Sequence, residues 1–231
     1  MDLTLLARWA AVGATLLAVF VALFKEQLQS LVWKPGFKVE IATRPPFCVK
    51  TQSSVHGMGL DGRMQLLWSG SIYWARLWVQ NVGARRAEAV EVFVTKVQRS
   101  NRDGSNNPAE GFVPSNLRWA NTDPIHPEIF YPMNPGMGRY CDLGSVADPA
   151  CTTLREIRGT PKGAATFDLV LQTPLPNDAH RLPPGDYRIT FKISAANARP
   201  VERAVAISIS GSWTEDEGAM FGKELGVSIA Q

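Results

Sequence analysis

From Leu3 to Phe24 the chain runs 22 residues with a single charge, Arg8, before Lys25 and Glu26 end the apolar stretch. A helix rises about 1.5 Å per residue, so roughly 20 apolar residues cross a hydrocarbon core of about 30 Å, and this run predicts one transmembrane helix. Arg8 lies near its N-terminal end, where a long side chain reaches the headgroups. Leu5, Trp9, Leu16, Leu17, Phe20 and Phe24 are its expected membrane contacts, with Trp9 at interface depth and Trp33 marking the opposite boundary. A cleaved signal peptide is the competing reading. Its apolar core is usually about 7–15 residues and ends in a small-residue cleavage site. The run here is longer, and Phe24-Lys25-Glu26-Gln27 offers no such site, so a retained anchor is expected. Leu28, Leu31 and Val32 carry the helical spacing beyond Phe24, until Pro35-Gly36 breaks it. The expected organisation is an anchor with an interfacial extension over 1–34 and a soluble β domain over 35–231.

After residue 36 the period changes from helical to alternating. Phe37, Val39 and Ile41 alternate with polar neighbours, predicting a strand with one buried face. Pro45-Pro46 ends it, and a short strand over 47–51 is followed by a loop around Gly57, Gly59 and Gly62. The strongest strand pattern is Ser71 to Val82, with Ile72, Trp74, Arg76, Trp78 and Gln80 on one face and Tyr73, Ala75, Leu77 and Val79 on the other. Asn81-Val82-Gly83 turns the chain, and Ala89 to Val97 returns as a strand, either in a hairpin or across to a second sheet. Residues 101–111 read as a polar loop, and four prolines between 124 and 135 exclude regular helix there. Residues 139–146, 165–172, 185–195 and 201–211 are further strands. Thr214 to Leu225 reads as a short helix, with Thr214 as N-cap and Glu217 at the capping-box position. The fold class expected is mainly β: an N-terminal transmembrane helix, then an immunoglobulin-like two-sheet sandwich with a short C-terminal helix.

Charge refines where such a domain would sit. The formal net charge is +3. Lys25, Lys34, Lys38 and Arg44 follow the apolar run, against Arg8 and Asp2 before it, so the positive-inside rule puts the β domain in the cytoplasm. Three cysteines, Cys48, Cys141 and Cys151, cannot all pair within one chain, which also favours a reducing compartment. The basic residues form no dense stripe interleaved with aromatics, so nucleic acid is not an expected partner.

Chemistry-bearing motifs are sparse. The chain has no G-x-S-x-G elbow, no phosphate-binding lysine loop and no H-E-x-x-H. His126 with Asp123, Glu128, Cys141 and Asp142 is the densest group of possible metal ligands, yet its spacing matches no compact zinc signature. Cys141 as a nucleophile would need a base such as His126 beside it. Neither reading competes with surface histidines and a packed thiol, so no catalytic residue, metal or cofactor is expected. The irregular stretch around 119–133 holds several large apolar groups. These either fold back over the sandwich or meet a partner; as a partner surface the expected contacts are Trp119, Ile129, Phe130, Tyr131 and Met133.

The elements Ala22-Leu23-Phe24-Lys25 through Val32-Trp33-Lys34-Pro35, Tyr73 through Gly83, Arg139-Tyr140-Cys141-Asp142-Leu143-Gly144, Pro184-Gly185-Asp186-Tyr187-Arg188 and Gly211 to Phe221 together resemble uncharacterised bacterial single-span membrane proteins with a C-terminal β-sandwich. The resemblance implies a fold and a location, the bacterial inner membrane, and no activity. The function expected is a membrane-anchored, non-enzymatic interaction module, an accessory or scaffold subunit of a membrane protein assembly. Its partners would be the lipid bilayer and a membrane protein, with a homo-oligomer possible. The alternative is a membrane-tethered sensor holding a small ligand in the β domain.

Overall fold

The computed structural model describes residues 3–32, 34–58, 62–101, 103–122, 130–150 and 163–230; side chains are not described for 3–8, 26–32, Val55 and Trp68. Helix α1, Leu3–Val32, comes first. Its described side chains, 9–25, are all exposed. Among the described residues, no helix is long and apolar enough to cross a membrane. Leu5 and Trp33 lie outside the described side chains.

Among the described residues after α1, most of the regular structure is strands in two antiparallel sheets. The first sheet runs β1 (Phe37–Glu40), β3 (Met64–Asn81), β9 (Gly138–Ala147), β10 (Phe167–Leu169) and β11 (Arg181–Leu182), with β2 (Cys48–Met58) also on β3 and β7 (Arg118–Trp119) on β9. The second runs β14 (Leu225–Ile229), β13 (Ala198–Ile209), β12 (Gly185–Ala195), β4 (Ala87–Ser100) and β5 (Asn106–Pro108), with β6 (Ser115–Asn116) and β8 (Tyr131–Met133) on β4. The alternation of β3 places Tyr73, Ala75, Leu77 and Val79 inward, all fully buried, against Val90, Val92 and Val94 of β4 and Ile189, Phe191 and Ile193 of β12 in one continuous core. A sandwich is the way two one-sided sheets bury those faces.

The β3–β4 connection crosses between the sheets and is not a hairpin. Fully buried Asn81 holds the crossing. Its Oδ1 accepts from Gly36 N at 3.2 Å and Gly83 N at 3.0 Å, and its Nδ2 donates to Arg85 O at 2.8 Å and Met133 O at 3.0 Å. Gly83 is required there, because a Cβ would lie 2.3 Å from Lys34 O. The chain leaving α1 is thereby pinned to the end of β3.

Several boundaries differ from the sequence pattern. The strand expected over 47–51 is β2, which extends to Met58 and takes Gly57 into the ladder, because β3 itself begins at Met64 and offers it a partner throughout. The polar region 101–111 contains a short strand, β5, on the edge of β4. The expected helix over 214–225 is only Glu217–Ala219 followed by a π-turn, Met220–Glu224, and Leu225 already begins β14. Its N-cap is Asp216, whose carboxylate accepts from Ala219 N at 2.6 Å; Thr214 instead gives its carbonyl to the Tyr73 hydroxyl at 2.9 Å. Pairing of Leu225 and Val227 with β13 buries apolar surface that two glycines, Gly218 and Gly222, could not hold in a longer helix.

Candidate functional site

The stretch expected to face a partner is mostly interior. Trp119 and Met133 are buried in the core, Trp119 because β7 lies against β9 and Met133 because β8 pairs with β4. This corrects their assignment as contact residues: their apolar surface is already covered. Tyr131 is half-buried, with the Arg139 guanidinium 4.1 Å above its ring and the Trp119 ring 6.2 Å away. Phe130 alone of the described members is exposed, at 56%. Ile129 lies outside the described residues, as do Asp123, His126, Glu128 and Cys151.

Among the described residues outside α1, the exposed large apolar side chains gather elsewhere. β9 pairs with β3 only from Ile72 to Gln80, so the β2–β3 hairpin continues alone toward Met58 and Met64. At about 3.3 Å per residue, the arm beyond Ile72 is roughly 25 Å long. Past a bulge at Leu67, the arm's tip places Met58, Met64 and Leu66 on one face with His56. Met58 is 71% exposed, Met64 65%, Leu66 58% and Leu67 45%. This face continues the core-facing side of the sheet past the end of the sandwich. The arm is fastened at its root by the segment before the closing turn. There Lys50 Nζ donates to Glu215 O at 2.6 Å and pairs with the Glu215 carboxylate, while Trp213 and Phe221 pack on Tyr73 with ring centroids 4.9 and 5.3 Å away. Among the described residues no strand but β3 pairs with β2, so its outer edge is open along the strand. Edge strands are usually shielded by proline, charge or shortness. Here the stretch from Thr51 to Met58 has no proline and no lysine or arginine.

The outer face of the first sheet carries a cluster of charged side chains. Arg76, Asp142 and Arg118 form one row across β3, β9 and β7. Arg76 Nε donates to Asp142 Oδ1 at 2.9 Å. Burial pushes the Asp142 carboxyl up, and Arg76 and Arg118 draw it back. The next row is Trp74, Ser145, Asp168 and Arg181, across β3, β9, β10 and β11. A bulge at Leu143 aligns the two rows: it lets Asp142 and Ser145, three residues apart, face the same side. Gly144 beneath them permits close packing, since a Cβ would lie 2.2 Å from the Phe167 ring.

The two described thiols are packed in the interior. Cys141 is fully buried, with Sγ 3.3 Å from Arg118 O, and burial pushes its thiol well up. Burial also pushes the Cys48 thiol up, to about 12. Both are free, and neither has the electropositive, accessible surroundings a nucleophile needs. Among the described residues no group of three metal-ligating side chains comes together.

Compared with known proteins, the chain matches no family model, no curated protein and no solved structure. The likeness to single-span bacterial proteins therefore rests on the sequence elements that carry it.

Proposed function

We propose that this chain is a membrane-tethered, non-enzymatic interaction module, an accessory or scaffold subunit of an assembly at the bacterial inner membrane, with an immunoglobulin-like β domain on the cytoplasmic side. The observation that carries this reading is the projecting arm. Met58, Met64, Leu66 and Leu67 stand exposed together on one hairpin, and monomeric proteins seldom leave large apolar side chains clustered in water without a partner. Tethering is supported by Trp9, Leu16, Leu17, Phe20 and Phe24, exposed on α1 within an apolar run that begins before the described side chains. Confinement to a membrane raises the effective concentration of a second membrane protein, so a small arm surface suffices for binding.

The test is purification of the full chain from membranes in mild detergent at near-native expression. A stoichiometric protein partner is expected, retained by the native chain and lost by the double variant Met64→Ser, Leu66→Ser, which should remain folded and membrane-bound. A monodisperse monomer without a partner, or a partner equally retained by the double variant, overturns the proposal.

A further inference from the structure

We infer that a cavity on the outer face of the first sheet binds a small hydroxycarboxylate, a monoanion with a hydroxyl next to its carboxylate. The inference goes beyond the interaction reading and does not depend on it.

The cavity measures about 220 Å³ and is walled by Trp74, Arg118, Ser145, Asp168, His180 and Arg181 among others. That is roughly the liquid volume of seven waters, the scale of a molecule with a handful of non-hydrogen atoms. Its floor is the cross-sheet row Trp74–Ser145–Asp168–Arg181, carried on four strands and so held rigidly. Trp74 is oriented by its Nε1 donating to Thr51 Oγ1 at 2.8 Å. The charged side chains of the wall are two arginines and one aspartate; Arg181 also pairs with Asp178 at 3.4 Å, and Asp168 accepts from Thr166 Oγ1 at 3.1 Å. Guanidinium forks match carboxylates bidentately. Asp142, the neighbour of Arg118, takes its hydrogen bond from Arg76, while the Arg118 charge also acts on it.

His180 supplies the independent observation. It is more than nine-tenths buried, and its Nδ1 has no hydrogen-bond partner among the described residues. Buried polar atoms are nearly always paired, with protein or with ordered water, and a ligand hydroxyl in this cavity can take that place. Burial, followed by the nearby Arg181 charge, lowers the pKa of His180 and favours neutral imidazole, while Asp168 and Asp178 oppose the shift. A neutral ring can accept from or donate to a hydroxyl, and Ser145 and Asp168 lie on the same floor. In this arrangement the carboxylate meets Arg118 and Arg181, the hydroxyl meets His180 and Ser145, and the carbon skeleton lies on Trp74.

The test is calorimetric titration of the full chain in detergent with lactate, acetate, glycine and inorganic phosphate. Lactate should bind saturably and more tightly than each of the other three. Arg118→Gln should weaken lactate at least about tenfold, the scale of a lost hydrogen bond to a charged group. Arg118→Lys, which keeps the charge without the fork, should fall between. Ser145→Ala should narrow the advantage of lactate over acetate, and it serves as the deciding variant if Arg118→Gln does not fold. No saturable signal with lactate at tens of millimolar, tighter binding of phosphate or glycine, or binding unchanged by the Arg118 variants would overturn the inference.

Discussion

At the scale of single residues, Asn81 is the polar side chain on which most structure converges. Four backbone groups from three segments depend on its amide. Asn81→Ala removes the partner of these groups, the bond to Met133 O being buried and the others part-buried, at about 1–3 kcal/mol for each left unpaired, so a loss of roughly 3 kcal/mol is expected in chemical denaturation. The sequence pattern places Asn81 in a turn but cannot show this role, because the groups it serves lie as far away as Gly36 and Met133. The buried thiols give a pH prediction. In the folded chain Cys48 holds its proton up to about 12, against an unperturbed value of 9.0. The native state therefore binds that proton more tightly than the unfolded chain. The resulting stability is complete below about pH 9 and is lost as pH rises toward 12. In reducing buffer the unfolding midpoint should fall over this alkaline range, and less steeply for Cys48→Ala than for the native chain. Equal slopes would show that Cys48 takes no part.

At the scale of elements, the arm and the sandwich should respond oppositely to substitution. Met58→Ser, Met64→Ser and Leu66→Ser each change exposed side chains and should alter stability by no more than about 0.5 kcal/mol. Leu77→Ala empties a fully buried site on the same strand and should cost about 2–5 kcal/mol. Thermal unfolding of the four variants measures the contrast, and a large loss from any arm variant would mean the arm is part of the core. Long alternating strands were legible in the sequence: the two faces assigned to β3 from Trp74 to Gln80 are the observed ones. The arm was not, because Gly57, Gly59 and Gly62 signal a loop locally, and only the pairing of β2 with β3 carries regular structure through Gly57. The same holds for Trp119 and Met133. Their apolar character announces burial somewhere, but whether the cover is this chain or another depends on which strands β7 and β8 meet.

At the scale of the whole molecule, α1 and the arm occupy opposite ends of the first sheet. The chain leaving α1 is pinned beside Asn81, at the C-terminal end of β3, and the arm's tip is at Met64, its N-terminal end. An 18-residue strand makes that separation roughly 55–60 Å. Under the proposed reading, a tether at one end and an apolar hairpin at the other suit a module that reaches outward from where it is held. Since no described side chain of α1 is buried, residues 34–231 expressed alone should keep the thermal midpoint of the full chain while leaving the membrane fraction. A lower midpoint would show that α1 supports the sandwich. Sequence alone determined the change from helical to alternating period near Pro35-Gly36, the mainly β class and the inward face of β3, because each is a local pattern of apolar positions. Only the tertiary structure decided which apolar residues remain uncovered, how Trp74, Ser145, Asp168 and Arg181 align into one row, and that His180 is buried beside them. Those outcomes depend on pairings between residues as far apart as Ile72 and Ala147, and side-chain period carries no information about which strand lies next to which.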